Sequence, residues 1–381
     1  MRGFTKRRWI ILSGVLGLLV SGIIIYCFNK PEADLFSLDR WYCPSCYTNF
    51  SYSDKGIFRM GEEGIMYLDA ATGKEVSICT KAGCTHEDEE CPARVDALYI
   101  TGIVYDGTKL YYVSSSGEQE FKSLNLTECD VNGTNRKKIA DFPEIQTPTA
   151  VSYYGDYVIV AYRNGFDIEK KEEVANREAG VFVYNKKTNE GKKIYSDKAW
   201  GNDIVSVDII KDSVYFSRTY SSLSEEEIMQ QSPELSEETA DIELYKIPLA
   251  GGVAECIGHE LSTSVAGVSQ AGDMVLYSTT QGIQAYSIKS GKTKSVMNGK
   301  NYSIVTDRLA EQKAIIQRFS MDDNVLNYYL VDDKGKVSEL GQTSYLLLAV
   351  FDSVTYAMDE AGEYVMLDTE KIWKKEYKTV S

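Results

Sequence analysis

The stretch VSQAGDMVLYSTTQGIQAYSIKSGKTKSV, residues 268–296, holds four short runs of alternating apolar and polar residues separated by turn signals. The turns carry Gly272 and Asp273, then Gln281 and Gly282, then Ser290 and Gly291. Side chains alternating at period two mark strands with one face buried, and tight Gly- or Asp-bearing turns join them as hairpins. Two hairpins in tandem make a four-stranded antiparallel unit.

The same plan recurs along the chain. The second hairpin of the unit returns as GIMYLDAATGKEVSI, SLNLTECDVNGTNRKKI, GVFVYNKKTNEGKKIY, DIELYKIPLAGGVAECI, LNYYLVDDKGKVSEL and EYVMLDTEKIWKKEY. The first hairpin, an apolar run meeting an Asp-bearing turn and a Tyr-rich strand, returns around Asp106, Asp156, Asp212 and Asp352, as well as at Asp273. RLAEQKAIIQRF, 308–319, keeps the strand with a less typical turn. Units of this size repeated in this way predict an all-β fold, a β-propeller of about seven four-stranded blades. A pair of sandwiches or an open solenoid is the alternative, but a closed ring needs no capping repeat to protect its ends. Two acidic stretches, 169–179 in the third unit and 222–240 in the fourth, read as insertions, either solvated loops or a contact surface on one rim.

Ahead of the repeats, Trp9 to Phe28 is an uncharged, mostly apolar segment of twenty residues. A helix of that length spans about 30 Å, the thickness of a bilayer's hydrocarbon core. Arg2, Lys6, Arg7 and Arg8 precede it and only Lys30 and acidic residues follow closely, which places the N-terminus in the cytoplasm and the rest outside. The absence of a small-x-small cleavage pattern, and bulky Tyr26 ahead of Cys27, favour a retained anchor over a signal peptide or a lipoprotein leader. The expected organisation is therefore a basic cytoplasmic tail at 1–8, a transmembrane helix at 9–28, a linker at 29–48 containing a CxxC pair, and the propeller at 49–381.

The chain of 381 residues carries a formal charge of −15, which argues against nucleic acid as a partner because no basic patch exists to neutralise phosphates. With two histidines, no G-x-S-x-G elbow and no phosphate-binding glycine loop, hydrolase triads and nucleotide sites are not supported. Asp130 and Asp332 sit in sequences that resemble calcium loops but lack the full ligand series, so turn chemistry explains them.

CTKAGCTHEDEEC, residues 79–91, gathers three of the eight cysteines with His86. Cys79, Cys84, His86 and Cys91 make a complete donor set for a structural zinc. Disulfides are the competing reading outside a membrane. A Cys84–Cys91 bridge would contribute ~2.5 kcal/mol by loop entropy, and Cys79 could instead pair with Cys43 or Cys46 of the CPSC pair. That pair is read as a disulfide or second thiol pair rather than a redox centre, since no βαβ pattern surrounds it. Cys129 and Cys256 are expected as small buried residues, and His259 as a loop or strand-end residue.

A strand running into C-x4-C-x-H-x4-C-x-A, here Cys79, Cys84, His86, Cys91 and Ala93, together with an N-terminal anchor and Tyr-rich hairpins, resembles a group of exported proteins of anaerobic Gram-positive bacteria. Their propeller-like domains are similar to TolB-type and low-density-lipoprotein-receptor-type propellers. The resemblance implies a propeller without an assigned activity. The expected function is then a membrane-anchored extracytoplasmic scaffold or sensor, non-catalytic, binding a peptide, glycan or partner protein at the channel or a rim. The alternative is a surface enzyme acting on polysaccharide through channel-mouth carboxylates. Structural zinc is the one cofactor these residues admit.

Overall fold

The structure is a computed structural model that describes residues 40–43, 50–53, 55–61, 64–86, 90–95, 100–115, 124–165, 177–199, 202–221, 240–262, 267–305, 313–320, 325–351 and 354–369. The expected transmembrane segment, with Cys27, Cys46 and the second strand of EYVMLDTEKIWKKEY, lies outside them. Among the described residues the chain forms twenty-eight strands in seven antiparallel sheets.

Strand β1 (Arg40–Cys43) stands apart from the repeats. Blade 1 is β2 (Phe50–Tyr52), β3 (Gly56–Gly61), β4 (Gly64–Asp69) and β5 (Glu75–Ser77). Blade 2 is β6 (Ile100–Tyr105), β7 (Lys109–Ser115), β8 (Leu124–Asp130) and β9 (Lys137–Phe142). Blade 3 is β10 (Thr147–Tyr154), β11 (Tyr157–Asn164), β12 (Glu178–Asn185) and β13 (Glu190–Asp197). Blade 4 is β14 (Asp203–Ile210), β15 (Ser213–Ser221), β16 (Ala240–Pro248) and β17 (Glu255–Gly258). Blade 5 is β18 (Val268–Ala271), β19 (Met274–Thr279), β20 (Gly282–Ser287) and β21 (Thr293–Asn298). Blade 6 is β22 (Tyr302–Val305), β23 (Ala314–Ser320), β24 (Val325–Val331) and β25 (Val337–Thr343). Blade 7 has, among the described residues, β26 (Leu346–Val350), β27 (Val354–Met358) and β28 (Tyr364–Asp368).

The first strands of successive blades touch one another, as β2 with β6, β6 with β10, β10 with β14 and β22 with β26, so they line the ring's centre. Burial falls outward accordingly. In blade 5 every residue of β18 and β19 is buried, whereas β21 is mostly exposed. Simple alternation therefore fails on the inner strands, because neighbouring blades cover both of their faces.

Among the described residues, an apolar cluster at each of the seven seams holds the ring. Val113, Leu126 and Phe142 of blade 2 pack on Val158 and Val160 of blade 3, and equivalent sets join each following pair. Blade 7 meets blade 1 through Ile57, Ala349, Tyr356 and Met366, and blade 1 meets blade 2 through Phe58, Ile65, Ile103 and Tyr112. A seven-bladed closed propeller is the result.

The recurring Asp has a repeated backbone role. The carbonyls of Asp156, Asp212 and Asp273, in the first turns of blades 3 to 5, accept from the amides of Lys186, Leu249 and Ile288, just beyond each third strand. One turn thus pins the next within each blade. The Asp332 carboxylate is spent on its own turn, accepting from the Lys334 and Lys336 amides, and that of Asp130 accepts from Thr134 and Asn135 of its turn and from Lys109 across the strand pair.

Strand β1 falls within the stretch 29–48 and pairs antiparallel with the inner edge of β10, Trp41 opposite Tyr153 and Cys43 opposite Val151. It also touches β2 and β6. It therefore lies along the inner strands of three blades. Of the insertions, Glu178 and Ala179 already belong to β12, and Ala240 opens β16.

Candidate metal centre

The four sequence-predicted ligands converge. Cys79 stands two residues beyond β5 rather than closing that strand, and Cys84, His86 and Cys91 follow in the loop between blades 1 and 2. The three sulfurs and one histidine nitrogen lie within 4.8 Å of one another. In a tetrahedral zinc site with Zn–S of about 2.3 Å the sulfurs stand about 3.8 Å apart, so an ion requires a contraction of only about 1 Å. The donor set suits zinc.

Local backbone geometry makes the convergence possible. Gly83 and His86 both take left-handed conformations, φ 71° and 63°, which fold the loop back on itself. His86 Nδ1 lies 3.4 Å from Cys91 Sγ and 3.5 Å from Ser77 Oγ. The Lys81 amide donates to Cys79 Sγ at 3.4 Å. Cys91 is buried, while Cys79, Cys84 and His86 are half-buried.

Electrostatics divide the thiols. Burial raises the Cys79 thiol. At Cys91 burial acts the same way, but His86, the Ala93 and Arg94 amides and Cys84 overcome it and draw the thiol down to about 6. Cys91 is thus the first anionic ligand available to a cation.

The loop is gripped from both sides. The Ile65 amide of β4 donates to Ala93 O at 2.9 Å. From blade 2, Arg136 donates to Arg94 O and Pro92 O, each at 2.7 Å. Gly64 and Gly133 press on the same turn: a Cβ on Gly133 would stand 2.0 Å from Pro92 O, and one on Gly64 would stand 2.3 Å from Ala93 O. An ion at the four ligands would therefore lock the seam between the first two blades.

Among the described residues no disulfide joins Cys79, Cys84, Cys91, Cys129 or Cys256. Cys129 is fully buried in the blade 1–2 cluster, as the sequence suggests. Cys256 departs from expectation. It is half-buried, and its sulfur lies 3.6 Å from Nε2 of the exposed His259 rather than in a core. The backbone of Cys43 lies in β1.

Between blades 3 and 4 an open cleft of about 540 Å³ is bordered by Tyr157, Asn185, Glu190, Lys192, Asp212 and Leu249. Lys192 Nζ donates to Ala250 O across it at 2.7 Å. Nothing in the sequence marks this cleft, because its wall comes from two separate blades.

No protein-family model matches the sequence, and no curated protein does. Among solved structures, the chain is similar to the β-propeller domain of the Trilobed protease from Pyrococcus furiosus, at 9% identity and TM-score 0.48, covering 91% of this chain and 97% of that one. It is similar to the extracellular domain of a one-component system protein from B. thetaiotaomicron, at 14% identity and TM-score 0.42, covering 88% of this chain and 39% of that one. It is also similar to oligogalacturonate lyase from Vibrio parahaemolyticus, at 11% identity and TM-score 0.43, covering 72% of this chain and 74% of that one.

Proposed function

We propose that this chain is a membrane-anchored, extracytoplasmic propeller that serves as a non-catalytic binding or sensing scaffold for a peptide, glycan or partner protein, with a structural zinc at Cys79, Cys84, His86 and Cys91. The observation that carries this reading is the position of β1. It lies on the inner edge of β10 and against β2 and β6, where channel-mouth carboxylates of an enzyme would have to converge. A strand there leaves the rims and inter-blade clefts for contact. The cleft beside Tyr157 and Leu249 combines an aromatic ring, apolar walls and a few charged groups, the composition of a recognition site.

The test uses the full chain in detergent, incubated with an array of glycans and with extracytoplasmic extract, followed by mass analysis of what is retained. The expected result is capture of one class of molecule in unaltered form, weakened by Tyr157→Ala. Turnover of a polysaccharide that is lost on replacing a single carboxylate would overturn the reading in favour of an enzyme. A reporter fused after residue 381 that is active only in the cytoplasm would overturn the topology.

A further inference from the structure

We propose that Glu243, Cys256 and His259 form a second metal site, separate from the Cys79 cluster, with three protein donors and an open fourth position. Its donors lie within 4.8 Å of one another: a carboxylate oxygen, a thiol and an imidazole from blade 4.

Strand register brings them together. Tyr245 of β16 pairs with Cys256 of β17, and Glu243 lies two residues before Tyr245 on the same face of the sheet. A register shift between Leu244 and Tyr245 skews the pair, and β17 ends at Gly258, where a Cβ would strike the Tyr277 ring at 2.7 Å. The chain then turns through Glu260 at φ 53°, leaving His259 over Cys256. His259 Nδ1 stands 3.2 Å from Glu243 Oε1, and Nε2 stands 3.6 Å from Cys256 Sγ.

The carboxylate is divided between two tasks. Glu243 Oε2 is held by Arg218 at 2.6 Å and by the Tyr245 hydroxyl at 2.8 Å, which fixes the plane of the group and leaves Oε1 directed at His259. Ligating carboxylates are commonly oriented by such outer partners. The Arg218 charge beside the site is answered by Asp197 on its other flank, at 2.7 Å. His259 is exposed, so its ion pair with Glu243 is worth little by itself and is a poor reason for a half-buried thiol to share the point.

Nitrogen, sulfur and oxygen donors suit a borderline divalent ion of the zinc class, and three protein ligands leave room for water or for a donor from a bound molecule. The Cys79 site has four donors and is closed. The blade 4 site is the exchangeable one.

The test is titration of the full chain, reduced and stripped of metal, with Co²⁺ followed by visible absorption, then competition with Zn²⁺ and a chelator. Two equivalents are expected, the second with the weaker sulfur-to-metal charge-transfer band of a single thiolate and the faster loss to chelator. His259→Ala, at an exposed position, and Cys256→Ser should each abolish the second equivalent and leave the first intact. Binding of one equivalent only by the wild-type chain would overturn the proposal. So would two equivalents that survive both substitutions.

Discussion

At Gly133 the backbone takes φ 77° and approaches Pro92 so closely that any side chain would collide with a carbonyl. Gly83 shares the left-handed conformation, at φ 71°, but has nothing within 4 Å of its Cβ position. The two glycines separate strain from collision. Gly83→Ala should cost roughly 1 kcal/mol, the price of the left-handed region for an alanine. Gly133→Ala should cost at least about 2–3 kcal/mol, as steric conflicts with backbone do, and should also weaken metal retention because it displaces the turn carrying Cys91. Thermal unfolding with and without chelator checks both; equal losses in the two variants would mean that contact with Pro92 is unimportant. The ligand quartet itself was legible in the sequence because its spacing lies within one loop. Gly133 and Arg136, which clamp it, were not, since their contacts span about forty residues and depend on how blade 2 meets the loop.

Strands β13, β15 and β16 meet at Arg218. Its guanidinium reaches Asp197 of blade 3 and Glu243 of its own blade, accepts cover from Tyr245 at 4.6 Å between guanidinium carbon and ring, and donates to the Tyr195 hydroxyl at 3.1 Å. All three charged side chains are about 15% exposed or less, so this is an interior network rather than a surface pair. Burial opposes ionisation of Asp197, yet the Ala199 amide, Asn202 and Arg218 hold its carboxyl below the usual range; burial likewise opposes Glu243, and Tyr245 and Arg218 hold it low. Because both folded-state values are depressed, their stabilising contribution is complete above the unfolded carboxylate values of about 4 and is lost as pH falls through the folded ones. Arg218→Gln should therefore cost about 2–3 kcal/mol near neutral pH, where it strands two largely covered carboxylates. The deficit should shrink when urea midpoints are compared at progressively lower pH, and a gap unchanged from neutral pH to pH 3 would contradict the assignment. The sequence showed the cross-strand hairpins on either side but not this pairing. The 222–239 connection separates Arg218 from Glu243, and blade 3 supplies Asp197.

On the scale of the whole ring, the seven repeats and their closure were legible because alternation and turn chemistry are local, while the contacts that close the ring were not. Blade 1 consists of β2 to β5, and the described part of blade 7 draws all its strands from the C-terminal side, so among the described residues side chains rather than a shared strand join them. The first hairpin, β2 and β3, also escaped the pattern because β2 has only three residues. Closure rests on Tyr356, whose buried hydroxyl donates to Ser53 O at 2.9 Å while its ring lies 5.6 Å from that of Tyr52; Phe50 and Tyr364 add a second contact at 5.1 Å. Tyr356→Phe should cost about 1–2 kcal/mol by leaving the Ser53 carbonyl without its donor, and Tyr356→Ala about 3–5 kcal/mol through the cavity. Since each blade packs chiefly on its two neighbours, the loss should be felt first at the seam. Hydrogen exchange of the Tyr356→Ala chain should quicken in β2, β3 and β26 to β28 while β10 to β16 keep their protection. Uniform acceleration through all seven blades would instead mean that the ring opens as one cooperative unit. In that case the aromatic seam would support every blade equally, and the neighbouring seam between blades 1 and 2 would be expected to do the same.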